Sequence, residues 1–263
     1  MSTSGGRRLP WPEWFSEFAA TAILLFVMVA LFRVLYGTDS SVAHALPAAG
    51  GRLAIDALVS GGTVGLLVAS PFGRRSGGHL NPAVTLAFWL LRALSGRDAV
   101  AYVLAQLAGS AAGVAAGRLL WGERAATRKV GYATVRAADG VPWSLVFAAE
   151  AAATAMMLAA VVLVATRPRP VLPVPVVVAG VVAGLILLVG QGAGGSFNPA
   201  RQFGPALFAG DVTWLWVYLT APLVGAGAFA LVRSRVRTAL PLPCPLCERH
   251  SCHVPVRLTA AES

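Results

Sequence analysis

The amino-acid sequence predicts an all-α membrane protein with six transmembrane helices and two shorter re-entrant helices, arranged as an inverted repeat. Three observations predict this fold class. Charged residues make up 12% of the 263 residues, whereas soluble domains average about 25%. Six apolar segments are each long enough to cross about 30 Å of hydrocarbon as a helix. Two further segments are too short to cross, and each contains the sequence Asn-Pro-Ala.

We expect the transmembrane helices at 13–36, 52–71, 98–119, 143–166, 172–190 and 212–233. The first segment is too long for the apolar part of a signal peptide and no cleavage site follows it, so we expect it to be retained. The membrane domain then covers 13–235, with a tail at 1–12 and another at 236–263.

The net charge of +10 does not indicate a nucleic-acid partner, because the basic residues lie in short loops rather than on one soluble face. Six spans place both termini on one side. The basic residues on that side are Arg7, Arg8, Arg74, Arg75, Arg92, Arg97, Arg167, Arg169, Arg233, Arg235 and Arg237. The positive-inside rule makes both termini cytoplasmic, in a multi-pass protein of the plasma or inner cell membrane. The loop 119–142 conflicts with this orientation, since it is basic and falls outside.

The two halves of the chain repeat one another. Three pairs of segments keep the same order: EFAATAILL (17–25) with EAAATAMML (150–158), SGGHLNPAV (76–84) with AGGSFNPAR (193–201), and YVLAQLAG (102–109) with YLTAPLVG (218–225). Each repeat, about 13–119 and 143–235, holds three spans, so the second must be inverted in the membrane. Inverted repeats with interrupted short segments place a transport pathway near the midplane.

Each Asn-Pro-Ala motif predicts the start of a short helix. The motifs are Asn81-Pro82-Ala83 and Asn198-Pro199-Ala200. Asn is a favoured N-cap, Pro fits the first helical position, and Ala allows close approach. Paired glycines ahead of each motif permit the extended or strained backbone that leads to the cap. Because the repeat is inverted, the two helix N-termini meet at the centre of the membrane.

This arrangement favours a passive pore for water and small uncharged solutes. Each helix N-terminus carries about half a positive charge, which disfavours cations, including hydronium. The Asn amides can donate to a passing water oxygen and so interrupt a proton wire, while nearby backbone carbonyls accept. The alternative is a proton- or ion-coupled transporter, which would require acids in the substrate path. We do not expect an enzyme, because the spans contain no metal or nucleophile constellation.

The segments SGGHLNPAVT and GGSFNPARQFGPAL resemble the two signature segments of the aquaporin (major intrinsic protein) family. The resemblance covers about 13–235. It implies the hourglass fold of six tilted helices and two half-helices, passive transport without a cofactor, and a homotetramer in the lipid bilayer with one pore per subunit.

A charge at membrane depth is a functional candidate, and Arg201 directly follows the second motif. The resemblance implies that Arg201 lies in the narrowest constriction, together with Gly61, Ile186 and Gly195. Water-selective relatives carry an aromatic residue and a His at the first two places. Glycerol facilitators carry bulky aromatics and an Asp after the Arg, where this chain has Gln202. The set looks most like the nodulin-26-like channels with wide filters, which implies passage of glycerol, urea and boric or arsenous acid.

Two acids, Glu17 and Glu150, are repeat mates within predicted spans. They are candidates for a proton relay, but we favour carboxylates that accept hydrogen bonds from the loops leading into the half-helices. We expect His79, beside the first motif, to be structural.

The tail PCPLCERHSCH (243–253) holds Cys244, Cys247, His250, Cys252 and His253. A CxxC pair with nearby Cys and His is typical of a zinc site. A disordered tail with incidental thiols and a redox sensor are the alternatives.

Overall fold

The computed structural model describes residues 9–167 and 172–236, and every regular element within these ranges is a helix. In chain order the α-helices are α1 (Trp11–Tyr36), α2 (Ser41–Ala45), α3 (Ala49–Ala69), α4 (Pro71–Ser76), α5 (Pro82–Leu90), α6 (Gly96–Trp121), α7 (Glu123–Ala126), α8 (Trp143–Ala165), α9 (Val174–Ala193), α10 (Pro199–Ala209) and α11 (Leu215–Ser234). A short 3₁₀-helix spans Gly131–Ala133. The Cys and His residues of the tail lie outside the described residues.

Six of these helices, α1, α3, α6, α8, α9 and α11, are long and apolar enough to cross a membrane. The predicted six-span fold is therefore confirmed, with helix ends that differ from the predicted ones by at most three residues. The re-entrant helices α5 and α10 begin at Pro82 and Pro199, directly after the capping asparagines.

The second predicted span ends earlier than expected because a new helix starts there. Helix α3 ends at Ala69, and the Ser70 hydroxyl accepts a hydrogen bond from the Gly73 N–H at 3.4 Å, which caps α4. Pro71 suits the first position of α4, where no backbone N–H is needed. Helix α4 ends at Ser76, and its C-cap Gly77, with a φ of 96°, turns the chain toward the first re-entrant segment.

The long helices pack in matching ways in the two halves. Helix α1 packs against α6, α8 packs against α11, and α3 crosses α9 between them. A Cβ at Gly109 of α6 would collide with the carbonyl oxygen of Phe18, and a Cβ at Gly225 of α11 would collide with that of Ala151. Small residues at helix contacts let backbones approach closely in membranes. The repeat therefore preserves the same close contact twice.

The basic loop between α6 and α8 has acidic partners on the side where α1 ends. Arg124 Nε lies 3.6 Å from Asp39 Oδ2, and Arg33 Nη2 lies 2.6 Å from the same oxygen. Arg136 Nε lies 2.8 Å from Asp211 Oδ2. Surface ion pairs stabilise a fold by only about 0–1 kcal/mol. These pairs do, however, offset part of the positive charge that conflicted with the predicted orientation.

We expect Gly225→Ala to lower the free energy of unfolding by about 1–3 kcal/mol, because the added methyl group must displace the backbone of α8. Gly227→Ala on the same helix is the matched control, since a Cβ there meets nothing within 4 Å. Size-exclusion chromatography after heating in detergent measures the fraction of intact protein, and so gives a melting midpoint for each variant. Equal melting midpoints would contradict the close contact.

Candidate functional site: a pore between two re-entrant helices

The tips of α5 and α10 meet through a reciprocal pair of hydrogen bonds. Asn81 Nδ2 donates to the carbonyl oxygen of Phe197 at 2.9 Å, and Asn198 Nδ2 donates to that of Leu80 at 2.8 Å. The Oδ1 atom of each Asn caps its own helix, accepting from the N–H two residues later. Each side chain therefore fixes two segments. An amide nitrogen carries two hydrogens, so each Asn has a second N–H to offer to a molecule in the pore.

The segments that lead into the two helices have unusual backbone conformations. Leu80 has a φ of 54° and Phe197 a φ of 51°, a region that costs a non-glycine residue about 1–3 kcal/mol. The preceding glycines, Gly77, Gly78, Gly194 and Gly195, also have positive φ. These conformations let the carbonyls of Leu80 and Phe197 meet the Asn side chain of the opposite half.

Glu17 holds the first lead-in segment from α1. Its Oε1 accepts from the His79 N–H at 3.0 Å and from the Ser76 hydroxyl at 2.6 Å. Its Oε2 accepts from the Leu80 N–H and from Gln106 Nε2, both at 2.7 Å. The carboxylate is fully buried and binds four donors. These contacts satisfy backbone N–H groups that no helix ladder reaches.

Glu150 holds the second lead-in segment in the same manner from α8. Its Oε1 accepts from the Ser196 N–H at 2.8 Å, and its Oε2 accepts from the Phe197 N–H at 2.7 Å. Both repeat-mate carboxylates thus bind the two N–H groups that precede an Asn-Pro-Ala motif. This geometry matches the structural role favoured for Glu17 and Glu150 over a proton relay.

His79 is buried beside the first motif and lines the cavity. Its Nδ1 lies 3.1 Å from the Thr85 hydroxyl, and its ring packs 4.6 Å from the Phe88 ring and 5.3 Å from the Tyr102 ring. The Tyr102 hydroxyl in turn donates to the Ser76 carbonyl at 2.7 Å. His79 therefore packs among the residues that hold the first lead-in segment in place.

A cavity of about 130 Å³ runs between the lead-in segments and the walls formed by α1, α3, α8 and α9. Its lining includes Met28, Asp56, Ser60, Val64, His79, Asn81, Val178, Val182, Ile186, Gly195, Asn198 and Arg201. Five of the predicted pore residues thus lie around one space, namely Asn81, Ile186, Gly195, Asn198 and Arg201. The remaining motif residues, Pro82, Ala83, Pro199 and Ala200, are buried behind it as the first turns of α5 and α10.

Gly61, which we expected in the constriction, does not line this cavity. A Cβ at Gly61 would collide with the carbonyl oxygen of Ala179 and would lie 2.9 Å from the Ala183 side chain, both on α9. Gly61 therefore lies where α3 and α9 cross, and its missing side chain permits their close approach. The cavity side of α3 is formed instead by Ser60, one residue earlier.

Two residues of the constriction, Asp56 and Ser60, are absent from the sequence prediction. With Val64 they lie four residues apart on the cavity side of α3, as residues on one helix face do. Helix α9 lines the cavity at the same spacing, ending at Ile186. The signal was available in the sequence, since Asp56 is an acid inside a predicted apolar span with a hydroxyl one turn later.

Arg201 lies in the first turn of α10 and reaches across to the loop that follows α7. Its Nη1 donates to the Ala133 carbonyl at 2.6 Å, and its guanidinium carbon lies 5.4 Å from the centre of the Phe32 ring. Arg201 therefore lines the cavity and also ties down a loop carbonyl.

Gln202 fixes that loop from the next position of α10. Its Oε1 accepts from the Val135 N–H at 2.9 Å, and its Nε2 donates to the Val135 carbonyl at 3.0 Å. This two-point contact holds the loop whose Ala133 carbonyl binds Arg201. A side chain that distinguishes this chain from glycerol facilitators thus supports the constriction from behind.

The lining can replace part of the hydration of a neutral solute but not that of an ion. Asn81, Asn198 and Arg201 supply donors, the lead-in backbone supplies carbonyls, and valines of α3 and α9 supply apolar walls. The N-termini of α5 and α10 converge on the same space, and their partial positive charges oppose a cation. An ion that enters would lose water with little in return.

The chain matches the sequence profile described as Major intrinsic protein over residues 7–233. It is 33% identical over 224 residues to the probable aquaporin TIP2-2 of Oryza sativa subsp. japonica, covering 82% of this chain and 84% of that protein. It is 30% identical over 223 residues to the glycerol uptake facilitator protein-like 6 of Lactiplantibacillus plantarum, covering 81% and 93%. The X-ray structure of the aquaglyceroporin from Plasmodium falciparum superposes with a TM-score of 0.70 at 22% identity, covering 87% of this chain and 97% of that chain. This last likeness shows a shared fold.

We expect Glu17→Gln and Glu150→Gln each to lower the free energy of unfolding by about 1–3 kcal/mol and to reduce water permeability per channel. A neutral amide accepts more weakly than a carboxylate and turns an N–H toward a backbone donor. Glu123→Gln is the matched control, because Glu123 is exposed on α7. Stopped-flow light scattering and thermal stability in detergent give the two readouts. Variants as stable and as permeable as the control would contradict the supporting role of these carboxylates.

Proposed function

The chain belongs to the major intrinsic protein family, and on that premise we propose that its pore passes glycerol, urea and boric or arsenous acid. The protein is a passive membrane channel for water and small uncharged solutes, and it is not an enzyme. The proposal concerns which solutes are admitted.

The small size of the side chains near Arg201 carries this proposal. Ser60 and Gly195 add little bulk to the constriction, and Ile186 lacks the hydrogen-bonding ring expected of a water-selective filter. Ser60 stands in for the glycine that we expected from the sequence, so the first place in the filter stays small. A relative named as a glycerol uptake facilitator supports glycerol as a solute. The likeness to nodulin-26-like filters rests on these same residues.

We also propose a homotetramer in the cell membrane, with one pore per subunit and both termini cytoplasmic. The channel domain would cover 13–235, with repeats at about 13–119 and 143–235. Exposed apolar side chains on the long helices, such as Leu58, Leu66 and Leu188, suit contact with lipid or with neighbouring subunits.

For the tail at 236–263 we propose a zinc site formed by Cys244, Cys247 and Cys252 with His250 or His253. The thiolates and imidazoles are the ligands that tetrahedral zinc prefers. A cytoplasmic tail keeps its thiols reduced and available. Transport itself needs no cofactor in this proposal.

Purified protein in liposomes should pass water, glycerol, urea and boric acid faster than empty liposomes do. The double variant Ser60→Phe with Ile186→His should retain water flux and lower glycerol and boric acid flux about tenfold or more, because bulk and a polar ring narrow the constriction. Stopped-flow light scattering with each solute gradient measures all four rates. A wild-type channel that passes water and excludes glycerol and boric acid would overturn the proposed solute range.

Zinc content of the purified full chain should approach one ion per chain, and a chain lacking 244–253 should contain none. Inductively coupled plasma mass spectrometry after removal of loosely bound metal measures both. The double variant Cys244→Ser with Cys247→Ser separates a specific site from general loss of the tail. Equal zinc in all three proteins would refute the site.

A further inference from the structure

Asp56 is a buried carboxylate that lines the pore and has no part in the support of the re-entrant helices. The residue is 9% exposed and lies on the cavity side of α3. Its Oδ1 accepts from the Ser60 hydroxyl at 2.8 Å, which lies one helical turn farther into the pore. The same hydroxyl lies 3.2 Å from Met28 Sδ, which also lines the cavity.

A carboxylate at this depth requires compensation, because burying an isolated charge is costly. Arg201 lines the same cavity and carries the opposite charge, so the two groups attract one another. Arg52, one turn before Asp56, directs its guanidinium to the carbonyls of Leu46 at 2.6 Å and Ala43 at 2.8 Å. Among the residues that line the cavity, Arg201 is the arginine that can balance Asp56.

The cavity lining consequently contains two chemically different charged groups. The guanidinium of Arg201 can only donate hydrogen bonds, and an ionised Asp56 can only accept them. A solute between them is satisfied on both sides when it carries an acceptor on one edge and donors on the other. A lone Arg at this place would select for acceptors alone.

We infer that Asp56, oriented by Ser60, is a specificity-determining residue that favours solutes with N–H or O–H donors opposite a hydrogen-bond acceptor. Urea is the clearest member of this class, with a carbonyl for Arg201 and an N–H from each of its two NH2 groups, on the opposite edge, for Asp56. Small polyols belong to it as well. This inference rests on the proposed passage of urea and names the residue that selects it.

Urea and acetamide give a sharp test, because they have nearly the same shape but differ on the edge opposite the carbonyl. That edge carries one N–H from each of two NH2 groups in urea, and one N–H and a methyl group in acetamide. In liposomes, Asp56→Asn should lower the ratio of urea to acetamide permeability about fivefold, the change expected when a charged hydrogen bond becomes neutral. Asp56→Glu keeps the carboxylate and should retain most of the ratio. Asp139→Asn, an exposed carboxylate in the loop before α8, is the control and should leave the ratio unchanged.

A ratio of two solutes of one size is insensitive to a general loss of folded channel, so a merely structural role for Asp56 would not move it. If Asp56→Asn fails to reach the membrane, Ser60→Ala carries the test and should lower the ratio about twofold by releasing the carboxylate. If the wild type conducts urea but the variant leaves the ratio of urea to acetamide permeability unchanged, the role of Asp56 is overturned and the proposed solute range is not. A wild type that excludes urea overturns both the inference and the proposed solute range.

Discussion

The structure depends on the crossed hydrogen bonds between the two asparagine side chains and the backbone of the opposite half. A membrane offers no water to irregular backbone, so such segments persist only when protein groups satisfy them. Asn81 and Asn198 satisfy a carbonyl each, and Glu17 and Glu150 satisfy the adjoining N–H groups. The pore is the space that remains once these polar requirements are met.

Support and selectivity are divided between symmetric and asymmetric positions of the repeat. The supporting pairs are Glu17 with Glu150, Tyr102 with Tyr218, and Gly109 with Gly225. Selectivity resides where the halves differ: Val84 in the first motif corresponds to Arg201 in the second. The repeat thus builds a shared scaffold, and departures from it give the constriction its charge and its shape.

The sequence predicted the six spans, the two half-helices and the asparagines, because apolar length and capping chemistry are local properties. It did not predict which face of α3 lines the pore. Successive residues of a helix point about 100° apart, so an error of one residue selects a different face. Counting back from Asn81 gave Gly61, whereas Ser60 is the residue that lines the cavity. The contact between Gln202 and Val135 could not be predicted from the sequence either, because it joins a helix to an irregular loop 67 residues earlier.

The crossed bonds also order events during biosynthesis. The carbonyl of Leu80 awaits Asn198, which is made 118 residues later. At about 5–20 residues per second, the ribosome needs roughly ten seconds to supply that partner. During this interval the Leu80 carbonyl in the first half of the nascent chain has no Asn198 partner, so water or the insertion machinery must supply a hydrogen bond to it. The first repeat therefore acquires its final conformation only after the second has been inserted.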